Sequence, residues 1–313
     1  MRAVPTFVDR APRILVLGST GFIGSRVAGL LAGSAGTQIV ALSRKPDDRL
    51  QKYNAITATA DISVEGSILP FLAGTDVVVH AASYVGSDPR LARETNESGT
   101  ANVVEQCRQA GVGRVIYVST CSVYGTGPHR GLGEREAGYA PASVASASRA
   151  AAEEIVLGYG GEVVRPNLVF GAGDRWLIRG LLKMLDVAGG WPGDGSALLS
   201  LIDVESLGRL IAGLALAPRQ PGQAFHAAFP DPVPVSLLLE SLARAFNLEP
   251  VRFLGDDERA LSALQAAGFS RHQLDLVTSD HWYSSERLWR ISGQEPGNIR
   301  EALAGLPASY PAP

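Results

Sequence analysis

A turn punctuated by three glycines, between a strand-like run and a helical one, fixes how this chain begins to fold. Arg13-Ile-Leu-Val-Leu17 is a short run of aliphatic residues bounded by Pro12 and Gly18. Gly18-Ser-Thr-Gly21-Phe-Ile-Gly24 follows, and an amphipathic stretch runs from Ser25 to Leu31. A chain that passes from strand to helix on such glycines brings its backbone within reach of a pyrophosphate. Gly18 permits the tight turn, Gly21 admits the phosphates to the backbone, and Gly24 lets the helix pack on the strand. The free N–H groups at the helix start favour an anion. Gly18, Thr20, Gly21, Phe22 and Ile23 are therefore the expected cofactor contacts of this turn.

The next strand bears on which dinucleotide is held. Gln38-Ile-Val-Ala-Leu42 ends in Ser43-Arg44-Lys45. An NAD site usually places Asp or Glu here to accept from the ribose 2′-OH. Ser43, Arg44 and Lys45 instead offer donors and two positive charges to a 2′-phosphate, which favours NADP(H). The opposing reading, a solvated loop beginning at Arg44, draws on the Pro46-Asp-Asp48 that follows.

Strand-like runs at 13–17, 38–42, 76–80, 114–118 and 161–165 alternate with helical stretches at 99–111 and 145–157. Such alternation predicts an α/β fold, a Rossmann doubly wound parallel sheet covered by helices on both faces. The later chain is less regular and reads as a smaller, mainly helical C-terminal substrate lobe. The expected division is 1–170 for dinucleotide binding with a return segment near 200–228, and 171–199 with 229–313 for substrate. Segment 255–283 reads as a lid or an ordinary surface helix pair. The net charge of −3 over 313 residues, with no basic stripe, argues against a nucleic-acid partner. No apolar run reaches the ~20 residues of a membrane span, and the polar, proline-broken start from Met1 to Arg13 does not read as a signal peptide, so a cytoplasmic protein is expected. Two cysteines, Cys107 and Cys121, suggest neither a disulfide framework nor a metal site.

Further segments carry a family resemblance. Asp61-Ile62, Asp76-Val-Val-Val-His80-Ala81-Ala82-Ser83, Asn96-Glu-Ser-Gly99-Thr-Ala-Asn102, Arg114-Val-Ile-Tyr-Val-Ser119-Thr-Cys-Ser-Val-Tyr124-Gly125 and Arg165-Pro-Asn-Leu-Val-Phe-Gly171 arrive in this order after the glycine turn. Together they resemble the extended short-chain dehydrogenase/reductase family, also called the NAD-dependent epimerase/dehydratase family. The resemblance implies that Asp61 and Ile62 lie beside the adenine, and that Ala81, Ala82 and Ser83 run along the cofactor. It further implies that Asn96 belongs to the catalytic tetrad, that Thr120 binds the substrate carbonyl, and that Pro166 approaches the nicotinamide. In this family, two copies often pair through the helices that correspond to 99–111 and 145–157.

One departure matters most. The family places Tyr-x-x-x-Lys at the start of the helix after the Ser/Thr strand, the tyrosine moving the carbonyl proton and the lysine holding the nicotinamide ribose. Here that helix reads Ala145-Ser-Ala-Ser-Arg149-Ala-Ala-Ala-Glu-Glu, which puts Ala145 at the tyrosine position and Arg149 at the lysine position. No tyrosine anywhere in the chain has lysine four residues on. Ala145 cannot donate a proton; Arg149 can still bond a ribose hydroxyl. Thr120 and Ser122 are the candidate catalytic donors, with Cys121, Tyr124 and Tyr139 behind them.

A second route lets the substrate bring its own acid, since a ketone flanked by a phenol is already internally hydrogen-bonded. The expectation is an NADPH-dependent ketoreductase acting on a polycyclic aromatic, polyketide-type (angucyclinone-like) ketone. Trp176, Trp191, Trp282 and Phe269 are its candidate pocket aromatics, with the core as their other destination. Two rivals stay open: a noncatalytic NADP-binding sensor or scaffold, and a nucleotide-sugar epimerase or dehydratase with an unrecognised base.

Overall fold

A computed structural model describes residues 10–45, 50–53, 55–306 and 310; the polar start up to residue 9 and Pro46-Asp-Asp48 lie outside them. The chain opens with β1 (Arg13–Leu17), α1 (Phe22–Gly33), β2 (Gln38–Ser43), β3 (Ile56–Thr59) and β4 (Val77–His80). A short helix α2 (Pro89–Ala92) passes through a π-helical turn, Arg93–Ser98, into α3 (Gly99–Ala110). Then come β5 (Val115–Val118), β6 (His129–Leu132), α4 (Val144–Gly158), β7 (Glu162–Pro166), β8 (Leu168–Phe170) and α5 (Leu177–Ala188). The remainder is β9 (Leu198–Leu199), β10 (Leu201–Asp203), α6 (Val204–Leu216), β11 (Ala224–Ala227), β12 (Val233–Pro234), α7 (Val235–Ala245), α8 (Glu258–Ala266), α9 (Arg271–Thr278), β13 (His281–Tyr283), α10 (Glu286–Ser292) and α11 (Ile299–Ala304).

Seven strands form one parallel sheet in the order β11-β7-β5-β4-β1-β2-β3. The strand order reverses between β1 and β4, so their carboxyl ends open a crevice, the usual place for a ligand in such sheets. β1 shows why both faces are covered. Ile14 and Val16 enter one apolar cluster with Val27 and Leu31 of α1, whereas Leu15 and Leu17 enter another with Val103 of α3 and Val156 of α4. Alternation along a strand combined with burial on both sides demands helices above and below.

The helices are set by local chemistry. α1 buries Gly24, Val27, Ala28 and Leu31, one stripe at helical spacing. α3 stops at Gly111, whose φ of 73° is the left-handed conformation that ends helices. α4 starts on a capping box in which Ser143 and Ser146 bond one another's backbone N–H groups. β6, β9, β12 and β13 make a separate four-stranded sheet, and β8 pairs with β10. The sequence reading found β1, β2, β4, β5 and β7 to within a residue and overlooked the edge strands β3 and β11.

Candidate active site

Two hollows meet at the carboxyl edge of the sheet. The first, about 470 Å³, is a groove walled by Gly18, Thr20 and Gly21, by Ser43, Arg44 and Lys45, and by Ala81, Ala82 and Ser83, with Ile62 at its far end. A Cβ on Gly18 would lie 2.7 Å from the backbone nitrogen of Ala82, and one on Gly24 would lie 2.2 Å from the Gly18 carbonyl oxygen. Both contacts are impossible for any larger residue, so the turn is built for close approach. Gly21 precedes α1 with no side chain capping the helix, which leaves its first N–H groups directed at the groove. This is a cradle for a dinucleotide pyrophosphate.

Details inside the groove refine the sequence reading. The Ser43 hydroxyl donates to the Lys45 carbonyl at 2.5 Å, so its proton is committed, and of these three residues Arg44 and Lys45 keep their side-chain donors for the groove. Asp61 Oδ1 accepts from the backbone N–H and hydroxyl of Ser63 at 3.0 and 2.7 Å, which holds its carboxyl below the usual carboxylate range. Its neighbours Ala60 and Ile62 form the wall. Phe22 and Ile23 face the second hollow instead.

That second cavity, about 330 Å³, is mostly apolar. Pro166, Leu168 and Val169 line one side, Trp176, Leu177, Leu181 and Met184 another, and Phe269, Leu276 and Val277 of the α9 region a third. Segment 255–283 therefore supplies a wall. The aromatic candidates separate: Trp176 is 68 % exposed and Phe269 lines the cavity, while Trp191 is 1 % exposed in the core. Trp282 packs over Gly131.

The polar groups of this cavity are few. Thr120 and Ser119 stand at the end of β5, and Arg149 reaches in from α4. Thr120 Oγ1 accepts from the Ser122 backbone N–H at 3.1 Å, which leaves its own O–H free to donate into the cavity. Ser122 is not among the wall residues; it sits in the 3₁₀ turn that Thr120 caps. Ser119 was not among the candidate donors, yet its buried hydroxyl has no partner among the described residues. No local signal marks it, because its role depends on where β5 ends. Arg149 turns inward as the helix register requires, with Nε on Ser83 Oγ at 2.9 Å and Nη1 at 3.5 Å from the Ser119 carbonyl oxygen.

The other proton-donor candidates are held elsewhere. Cys121 is buried against the Arg165 carbonyl at 3.2 Å, and burial pushes its thiol well up. The Tyr124 hydroxyl lies 2.7 Å from His226 Nε2 and accepts from Arg165 at 2.6 Å. Tyr139 donates to Glu153 at 2.9 Å. Burial raises both phenols, and neither lines the cavity. Under Arg149, His80 bonds Thr100 at 3.0 Å, and burial with the nearby guanidinium pulls it down to about 3, so it is neutral at ordinary pH.

The NAD dependent epimerase/dehydratase family matches this sequence over residues 14–225, from β1 into β11. The chain belongs to that family. Its members are NAD-dependent oxidoreductases, epimerases and dehydratases, and the chain is an enzyme of this kind. A 2-alkyl-3-oxoalkanoate reductase of Stenotrophomonas maltophilia is 30 % identical, over 96 % of this chain and 100 % of its own length. The human decarboxylating sterol-4-alpha-carboxylate 3-dehydrogenase is 27 % identical, over 92 % of this chain and 85 % of that protein. In fold, the terminal R domain of the myxalamid PKS-NRPS pathway superposes with a TM-score of 0.77 at 21 % identity, covering 98 % of this chain and 92 % of that one. MoeE5 in complex with UDP-glucose and NAD gives 0.71 at 23 % identity, covering 95 % and 97 %.

Proposed function

We propose that this enzyme uses NADPH to reduce a ketone on a polycyclic aromatic, polyketide-type substrate, with the substrate's neighbouring phenol supplying the proton that a tyrosine would otherwise give. The observation that carries this reading is an apolar cavity beside the dinucleotide groove that holds hydroxyls and a guanidinium but, among the described residues, no tyrosine on its wall. A nucleotide sugar would want cations for its diphosphate, and oxidation of its aliphatic alcohol would want a base. The names of the two relatives above, an oxoalkanoate reductase and a sterol dehydrogenase, agree with an apolar substrate.

The geometry supports the following roles. The glycine turn and the start of α1 hold the pyrophosphate, and Arg44 and Lys45 attract a 2′-phosphate. NADPH, when bound, supplies a hydride. Phe22, Leu177, Phe269 and Leu276 exclude water and orient a flat apolar body. Thr120 donates to the carbonyl oxygen. Two copies pair through α3 and α4, where Ala147 and Ala151 on the outer side of α4 allow close approach.

Cofactor preference gives one test. The parent protein binds NADP(H) more tightly than NAD(H), and Arg44→Asp reverses that order by setting a carboxylate against the 2′-phosphate. Equal affinities in calorimetry of the parent would remove the claim. The reaction is tested by NADPH absorbance with three ketones: a hydroxyaryl ketone, its aliphatic cyclic analogue, and a 2-alkyl-3-oxoalkanoate. The expected result is consumption with the hydroxyaryl ketone well above the others. Consumption with the oxoalkanoate alone would replace the aromatic substrate by an aliphatic 3-oxo acid. Consumption with none would remove the ketoreductase reading.

A further inference from the structure

Among the described residues, Arg149 and Asp174 are the two acidic or basic side chains on the wall of the apolar cavity. Asp174 is fully occupied. Its carboxylate accepts from the backbone N–H groups of Trp176, Leu177 and Ile178 at 2.7 to 3.0 Å and from the Tyr310 hydroxyl at 3.0 Å. Arg149 is in the opposite condition. Four residues on along α4 stands Glu153, the usual place for a helical ion-pair partner. Glu153 is wholly buried and is taken by Arg165 Nε at 2.9 Å and by the Tyr139 hydroxyl at 2.9 Å. Among the described residues, Arg149 makes no ion pair; its bonds are the two to Ser83 and Ser119.

Those bonds fix the guanidinium without neutralising it. Asn96 Oδ1 accepts from the Tyr84 backbone N–H at 2.7 Å and from the Ser83 hydroxyl at 3.1 Å, while its Nδ2 donates to the Tyr84 carbonyl and Ser148 Oγ at 2.8 and 2.9 Å. Because the Ser83 hydroxyl gives its proton to Asn96, its lone pair faces Arg149 Nε. The far nitrogen, Nη2, has no bond to protein among the described residues, and it belongs to a side chain that lines the cavity together with Thr120 and the unpartnered Ser119 hydroxyl. Ala145, one turn earlier, has nothing beyond Cβ to intervene.

We infer that Arg149 is a catalytic residue of the reaction proposed above, its guanidinium gripping the carbonyl–phenol oxygen pair of the substrate and stabilising the negative charge that develops there. The inference rests on that reading of the substrate. Hydride addition to the carbonyl carbon forms a C–H bond and turns the C=O π pair into a lone pair on oxygen. The phenol O–H passes its proton to that oxygen, the charge comes to rest on the phenolate, and solvent water reprotonates it. Arginine gives up no proton in this sequence, since its pKa is too high. It acts as a fixed charge in apolar surroundings, where preorganised donors are worth most. A planar fork also suits two adjacent oxygens better than an ammonium does. A ribose contact, which the family's lysine position implies, requires only one of the remaining N–H groups.

The test has an optical readout apart from turnover. 1-Hydroxyanthraquinone, whose colour changes when its phenol ionises, is titrated in the presence of excess protein and NADP⁺ with the parent, Arg149→Met and Arg149→Lys. The groups beneath Arg149 stay neutral through the range: His80 is held down to about 3, and burial pushes Tyr117 up to about 12. The phenol is expected to ionise about one pH unit or more lower on the parent than on Arg149→Met, with Arg149→Lys between them. Turnover of a hydroxyaryl ketone is expected to fall about 10²–10³-fold in Arg149→Met, mainly in kcat. Equal ionisation on the parent and Arg149→Met, with equal turnover, would overturn the role of Arg149 and leave the reduction standing. A lowered phenol pKa on the parent with no ketone consuming NADPH would do the reverse, keeping the anion site and removing the reduction.

Discussion

O-Methylation of the phenol beside the ketone slows reduction about 10²–10⁴-fold, the usual contribution of a positioned general acid. The matched substrates are 8-hydroxy-1-tetralone and 8-methoxy-1-tetralone, compared by initial rates of NADPH loss. The size of the effect follows from what the cavity lacks. Tyr124 and Tyr139 are tied into the Arg165–Glu153 network, Cys121 is buried against a carbonyl, and Ala145 carries no proton. Thr120 and Ser119 remain, and their hydroxyls are weak acids that can polarise the carbonyl but not protonate it readily. Thr120→Ala therefore slows the hydroxy substrate by less than about a hundredfold. Equal rates for the hydroxy and methoxy ketones would mean that a protein acid operates and that substrate assistance is wrong.

Glu153→Ala removes about 3–5 kcal/mol of folding stability, the cost of stranding a buried charge. Glu153 and Arg165 are 0 % and 5 % exposed, and Arg165 also carries the Tyr124 and Tyr139 hydroxyls. Removing the carboxylate leaves the guanidinium without its partner between β7 and α4. Denaturant unfolding of the variant shows the loss as a lower midpoint with little change in slope. The double variant Glu153→Leu/Arg165→Met recovers most of it, because two well-packed apolar groups replace an ion pair at little cost. A double variant as unstable as the single one would show that shape, not charge, is what the site requires.

The glycine turn was legible in the sequence because Gly21 and Gly24 answer to the sterics of one turn, where neighbours in the chain are neighbours in space. The demand on Gly18 comes from Ala82, which only the sheet brings near. The register of α4 rested on the resemblance, which puts Arg149 at the lysine position, and the helix, capped by Ser143, does send Arg149 inward. The substrate half was less legible. Its walls come from segments near 22, 119, 149, 166–169, 174–184 and 269–277, which only the tertiary fold assembles. Trp176 and Trp191 are the same residue fifteen positions apart, one on the cavity and one in the core, and no property of the residue distinguishes them. Ser43 and Ser122 were read as donors from their type. The protons of such hydroxyls go wherever a nearby acceptor lies, and for Ser43 that acceptor is a carbonyl two residues away.

The π-helical turn Arg93–Ser98 acts as a vernier between two helical registers. The Gly99 N–H reaches back to the Glu94 carbonyl, one residue farther than an α-helix allows. Each residue of an α-helix turns the side chains by about 100°, so one residue gained or lost sets the pieces before and after out of phase by that angle. On the near side, Asp88 caps the incoming turn; on the far side, Thr100 meets His80. Asn96 sits in the slack between them, aimed at Tyr84, Ser83 and Ser148 by a rotation that belongs to neither helix. Removing one residue from this turn would restore regular α geometry and swing Asn96 aside, and Ser83 would lose the acceptor that turns its lone pair toward Arg149.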